Sequence, residues 1–182
     1  GQQFDGRPVS WGWNFGDLVS DTPTGITFVQ VDGGDTNSLA LKSDGSIVSW
    51  GRWDHHGMVS DTPTGTGFVQ VTAGSNHSLA VKIDGSIVAW GFDVSGQVSD
   101  TPSGTDFAQV AGGSSHSLAL KTDGSIVSWG SDSDGQVSNT PAGANFTQVA
   151  GGSSYSLALK LDGSIVSWGS NSDGQVSNTP TD

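Results

Sequence analysis

The chain predicts an all-β fold, a β-propeller built from four full four-stranded blades of about 39 residues plus an N-terminal half blade. Three observations carry this expectation. The pair Trp-Gly recurs at Trp11, Trp50, Trp90, Trp129 and Trp168, at spacings of 39, 40, 39 and 39 residues. A fixed period of this size marks a solenoid, a propeller or an array. Each period holds three short runs rich in branched and aromatic residues and bounded by Gly, Asp and Ser, which read as strands. All 18 acidic residues are Asp and 28 residues are Gly, a composition that serves turns and caps rather than helix interiors.

The elements follow in chain order. Residues 1–25 form the half blade, because "DGRPVSWG" at 5–12 aligns with "DGSIVSWG" at 44–51. Full repeats then occupy about 26–65, 66–104, 105–143 and 144–182. In the first, "FVQV" at 28–31, "SLALK" at 38–42 and "SIVSW" at 46–50 are three strands. The second and third join through Ser43-Asp44-Gly45, and Asp84-Gly85, Asp123-Gly124 and Asp162-Gly163 repeat this tight hairpin signal. A fourth strand is expected in "LVSDTP" or "QVSNTP", where Pro stops pairing and suits an outer edge. Four antiparallel strands in about 40 residues is the arithmetic of a propeller blade. A β-solenoid would have shorter periods and fewer hairpins.

Composition narrows the function. The formal charge is −12 with only six basic residues, so little is available to neutralise a phosphate backbone, and nucleic acid and anionic lipid are disfavoured as partners. No run reaches the roughly 18 apolar residues of a membrane span, and the N-terminal ten residues lack the pattern of a signal peptide. The absence of cysteine excludes disulfides and thiolate metal sites without deciding the compartment. The expected location is extracellular or at the cell surface, with no signal visible in this chain.

The unit "AGGSSHSLALK" at 111–121, the "DG" turn, the "WG" and the following "GQ" together resemble the regulator of chromosome condensation repeats. The likeness is greatest to the compact bacterial version found in the type II β-lactamase inhibitory protein. It covers nearly the whole chain and implies a propeller, in a family of mostly seven-bladed relatives that act as protein-binding platforms. The partner does not transfer with the fold. The copies depart from the pattern at Asn37, where the others carry His77, His116 and Tyr155, and at Gly16-Asp17 and Gly57-Met58, where "GQ" is replaced.

The resemblance also implies that the opening half unit closes a ring by pairing with a final inner half unit, which these 182 residues do not contain. The chain is then a piece of a longer propeller, a four-bladed ring, or half of an eight-bladed ring shared by two chains. Open blades expose strand edges and apolar faces, and the expectation taken forward is a homodimer.

A residue repeated in every blade is one the blade itself requires. Trp50, Trp90, Trp129 and Trp168 therefore read as packing anchors, His77 and His116 as structural imidazoles, and Lys42, Lys82, Lys121 and Lys160 as strand-end charges pairing with nearby Asp. The copies differ just after each "WG". There the first three carry Trp13, Phe15, Arg52, Trp53, His55, His56, Met58 and Phe92, where the last two have Ser, Asn and Asp. Aromatics and Arg on loops are the composition of an interaction surface. The partner-binding candidates are Trp13, Phe15, Arg52, Trp53, His55, His56 and Phe92. Alternatively, these side chains fold back over the blade tops or fill an oligomer contact.

No cofactor, metal or catalytic group is assigned. "WDHH" at 53–56 offers a carboxylate and two imidazoles, but adjacent residues of an extended segment point apart and no third His lies nearby. Asp132 and Asp134 resemble half a calcium loop without its terminal Glu. No G-x-S-x-G, H-E-x-x-H or phosphate-binding loop occurs. The leading expectation is a non-enzymatic module that presents these loops to a protein partner. A glycan-binding propeller and a purely structural repeat segment of a larger surface protein are the alternatives.

Overall fold

The computed structural model describes residues 19, 21–24, 27–51 and 54–180. Each full repeat folds into one antiparallel sheet: β1 (Phe28–Gly33), β2 (Ser38–Lys42) and β3 (Ile47–Trp50); β4 (Phe68–Ala73), β5 (His77–Lys82) and β6 (Ile87–Gly91); β7 (Phe107–Gly112), β8 (His116–Lys121) and β9 (Ile126–Gly130); β10 (Phe146–Gly151), β11 (Tyr155–Lys160) and β12 (Ile165–Gly169). The strand order within each sheet is sequential. These sheets are the blades of a propeller, and the half blade at 1–25 lies almost wholly outside the described residues.

The predicted Asp-Gly hairpins form. Lys42 donates its backbone N–H to Ser46 O at 2.9 Å and Gly45 donates to Lys42 O at 2.9 Å, with Gly45 at φ 81°, a left-handed position that suits Gly. The Asp44 carboxylate accepts from the Ser46 N–H at 2.9 Å and hydroxyl at 2.7 Å. These bonds hold Asp44 below its ordinary pKa, the Ser46 hydroxyl contributing most. Asp84, Asp123 and Asp162 repeat the arrangement.

A bulge sits at the start of each inner strand, between Phe28 and Gln30, Phe68 and Gln70, Phe107 and Gln109, and Phe146 and Gln148. One extra residue lets positions three apart share a face. Phe68 and Val71 are therefore both buried while Val69 is 52% exposed.

The blades pack face to face. Leu39, Leu41 and Ile47 of the first meet Phe68, Val71, Ala80 and Trp90 of the second. Leu79 and Val81 meet Phe107, Val110, Ala119 and Trp129, and Leu118, Leu120 and Ile126 meet Phe146, Val149, Ala158 and Trp168. The core is thus a series of equivalent joints. Innermost strands also contact in sequence, β1 with β4, β4 with β7 and β7 with β10, whereas no comparable contact joins β10 or β11 to β1 among the described residues. Among the described residues the four blades follow one another in an arc.

The expected fourth strand is absent from the described residues, and each blade has three. "QVSNTP" instead closes local turns: Asn139 donates to Gly135 O at 3.2 Å and Thr140 to Val137 O at 3.1 Å, with the Thr140 hydroxyl on the same carbonyl at 2.7 Å. Backbone groups satisfied locally are not available to a ladder, and the following Pro has no N–H to offer. Among the described residues no helix is long and apolar enough to cross a membrane.

Candidate functional site

The loops after each Trp-Gly share one frame. The Asp54 carboxylate accepts the backbone N–H of Val59 at 2.7 Å and of Ser60 at 3.1 Å. Asp93 does the same for Val98 and Ser99, Asp132 for Val137 and Ser138, and Asn171 for Val176 and Ser177. Asp132 therefore belongs to the loop's own architecture, and its two backbone donors lower its pKa. Asp54 is likewise occupied by the backbone. Among the described residues no group of three or more His, Asp, Glu or Cys is placed to hold a metal ion.

The residue after the loop glycine enters the joint between blades. Met58, Gln97 and Gln136 are at most 2% exposed. Their carbonyls accept the indole N–H of the next blade's Trp: Trp90 to Met58 at 3.1 Å, Trp129 to Gln97 at 3.0 Å and Trp168 to Gln136 at 2.9 Å. The tryptophans are packing anchors, each with its polar atom satisfied. Met58, grouped above with the displayed residues, is instead core, because its position in the repeat is the buried one.

Of the seven candidates, Trp13, Phe15, Arg52 and Trp53 lie outside the described residues. His55 opens a short 3-10 turn, His55–Gly57. His56 is exposed, at φ 64°, and its ring meets Phe92 edge to face, 4.6 Å between centroids at 60°. These two come from loops of neighbouring blades, and Phe92 stays partly exposed. The fold thus assembles at least one aromatic pair from residues 36 apart in sequence.

His77 and His116 are fully buried. His77 Nε2 lies 2.9 Å from Ser117 Oγ, and His116 Nε2 lies 2.9 Å from Ser156 Oγ, each in the next blade. Asn37 does the same work, donating from Nδ2 to Ser78 Oγ at 3.1 Å. Burial pushes both imidazoles down to about 4, so they are neutral at pH 7. Their rings lie over the backbone of Gly74 and Gly113, where a Cβ would collide with the imidazole. The lysines are strand-end groups: Lys121 pairs with Asp106 at 3.1 Å and lies 5.6 Å from the Phe107 ring centre, and Lys82 lies 6.0 Å from that of Phe68.

A further set went unread in the sequence. The Gln30 side chain donates to Val71 O at 2.8 Å and accepts from Val71 N–H at 3.0 Å. Gln70 stitches to Val110, and Gln109 to Val149, in the same way. The signal was the Gln recurring inside each "FVQV", a polar residue kept in the middle of an apolar strand. At the axial end of the blades, Ser75 Oγ lies 2.9 Å from Ser114 Oγ, and Ser114 Oγ 3.1 Å from Ser153 Oγ.

Residues 68–97, 107–136 and 146–175 match the family model "Regulator of chromosome condensation (RCC1) repeat". A comparison with curated proteins finds no sequence match. Among solved structures, the ectodomain of the Physcomitrella patens receptor kinase CR4 aligns with TM-score 0.80 at 22% identity, over 98% of this chain and 50% of that one. The CRINKLY WD40 ectodomain of the Arabidopsis thaliana receptor kinase ACR4 aligns with TM-score 0.68 at 22% identity, over 86% of this chain and 54% of that one. Prp20p from Saccharomyces cerevisiae, described with its binding to Gsp1p and histones, aligns with TM-score 0.68 at 22% identity, over 82% and 47%. The chain spans about half the length of these structures, and the likeness establishes the fold.

Proposed function

Because the chain is an RCC1-like repeat propeller, we propose that it works as a non-enzymatic interaction module that presents the loops after Trp11, Trp50 and Trp90 to a protein partner, and that it associates with a second copy of itself. The supporting observation is the pairing of His56 with Phe92. Two of the few residues that distinguish one copy from another are brought side by side on neighbouring loops, and Phe92 stays partly exposed. Trp13, Phe15, Arg52, Trp53 and His55 belong to the same three loops, and aromatic and Arg side chains concentrate binding energy when they are buried by a partner. The repeated polar residues are already committed to the scaffold, His77 and His116 to the next blade and the Asp residues to turns. Prp20p, a structural neighbour, binds proteins, and two others are receptor ectodomains, in keeping with a protein-binding module placed outside the cell or on its surface.

The test compares the native chain with one in which all three loops are replaced by the "GSDSDGQ" loop of residues 130–136. Both are immobilised, and proteins retained from the native source are identified by mass spectrometry. A partner held by the native chain and lost from the replacement, with melting temperature preserved, is the expected result. Equal retention by both chains refutes the assignment to the loops.

A further inference from the structure

Apart from the loops after each Trp-Gly, we propose that the outer edge of β3 is a peptide-binding site. An extended segment of a partner protein adds there as a fourth strand, with an acidic side chain set against Lys42. This edge is a different surface from the loops, and either can fail without the other.

The hairpin fixes which backbone groups face outward. Lys42 donates its N–H to Ser46 O, and the register sets Ala40 opposite Val48 and Ser38 opposite Trp50. Antiparallel pairs alternate, so the N–H and C=O of Val48 and Trp50 turn towards β2 while those of Ile47 and Ser49 turn away. β3 is the last strand of its sheet, and among the described residues no hydrogen bond takes up these outward groups. Nothing within the strand blunts the edge, since β3 has no Pro, no charged residue and no bulge.

A groove of about 410 Å³ runs along this edge, with residues 46–49 on one wall and Val59 and residues 62–65 on the other. Its length of four strand residues is about 13 Å. The gap has a cause in the sequence: Thr62 follows Trp50 by 12 residues, where Thr140 and Thr179 follow Trp129 and Trp168 by 11. In the third and fourth blades that Thr hydroxyl clasps the strand, Thr140 donating to Ser128 Oγ at 2.7 Å and Thr179 bonding Ser167. Thr62 instead bonds only Val59 O, and Ser49 Oγ has no partner. Lys42 is the one charged residue lining the groove. Its counterpart Lys121 pairs with Asp106 at 3.1 Å, but Thr27 takes the place of Asp106 in the first blade, and Asp44 is held in its own turn by Ser46. A carboxylate on the incoming strand supplies the missing partner. Strand addition draws its affinity from main-chain bonds and its specificity from such side-chain sites.

The probe is a displayed library of random nonapeptides selected on the native chain, and the readout is amide hydrogen exchange by nuclear magnetic resonance. In the free chain the Ile47 and Ser49 amides should exchange fast beside protected Val48 and Trp50. A selected peptide should slow both by at least about tenfold, and methylating one of its paired backbone nitrogens should weaken binding by about tenfold. Lys42→Met should weaken it about two- to fivefold at low salt. Ile47 and Ser49 amides already as protected as their neighbours in the free chain would overturn the proposal, because the edge is then covered. So would a selection in which no peptide slows these two amides, whether others bind at the loops or none binds at all. Undiminished binding to the Lys42→Met chain, with protection retained, overturns the acidic requirement alone. Capture lost on replacing the loops does not touch these amides, so the two surfaces are judged separately.

Discussion

Acid should loosen the joints between blades in a pH window set by two imidazoles. His77 and His116 are fully buried, each bonded through Nε2 to a serine of the next blade, and their Nδ1 atoms have no hydrogen-bond partner. Burial lowers both from 6.5 to about 4. A group whose folded pKa is depressed in this way is neutral in the fold and protonated in the unfolded chain between those two values. The unfolded state then binds more protons, and stability falls as pH falls. The contribution is intact above pH 6.5, down by about 2 kcal/mol per imidazole at pH 5, and down by about 3 kcal/mol each near pH 4. The carboxylates respond in a different window. Asp44, Asp84, Asp123 and Asp162 have pKa values lowered from 3.8 by their serine partners, so what they contribute is retained above that value and lost only below it. The assay is chemical denaturation from pH 7.5 to 4.2. The comparison is His77→Asn with His116→Asn, because Asn37 already makes the equivalent bond to Ser78. The native chain should lose stability steeply below pH 6.5 while the double variant stays nearly flat. Equal slopes for the two chains would refute the reasoning.

Three other outcomes follow from the repeated joints. Leu118→Ala removes a fully buried side chain between the third and fourth blades and should cost about 3–5 kcal/mol by equilibrium denaturation. Gln109→Ala breaks both bonds of one stitch and strands the Val149 N–H, for an expected loss of about 1–3 kcal/mol, seen also as faster hydrogen exchange at Val149. Phe92→Ala removes the edge contact with His56 from a partly exposed side chain; its stability should move by no more than about 1 kcal/mol while partner capture weakens, and a large destabilisation with capture intact would assign Phe92 to packing.

Much of the scaffold was legible because the chain repeats itself. The Trp-Gly period marked the units, and the Asp-Gly turns and the short apolar runs such as "SLALK", which depend on neighbours within a few residues, placed three strands per blade correctly. The fourth strand failed for a local reason: Thr140 and Asn139 satisfy the backbone within the turn, a choice that residue propensities alone did not reveal. Met58 was misread because it looked like a departure on a loop, while the partner that buries it is the Trp of the next blade. The same held for Gln30, Gln70 and Gln109, whose acceptors are about 40 residues away.

For the candidate site, sequence comparison among copies isolated the loops that vary, and only the fold could say that His56 and Phe92 meet. By itself the sequence determined the blade, its length, its turns and which positions repeat, since those follow from short-range backbone preference and hydrophobic period. The tertiary structure alone decided which repeated residues join one blade to the next. Face-to-face packing is a relation between units, and the residues that make it lie about 40 positions apart in the sequence.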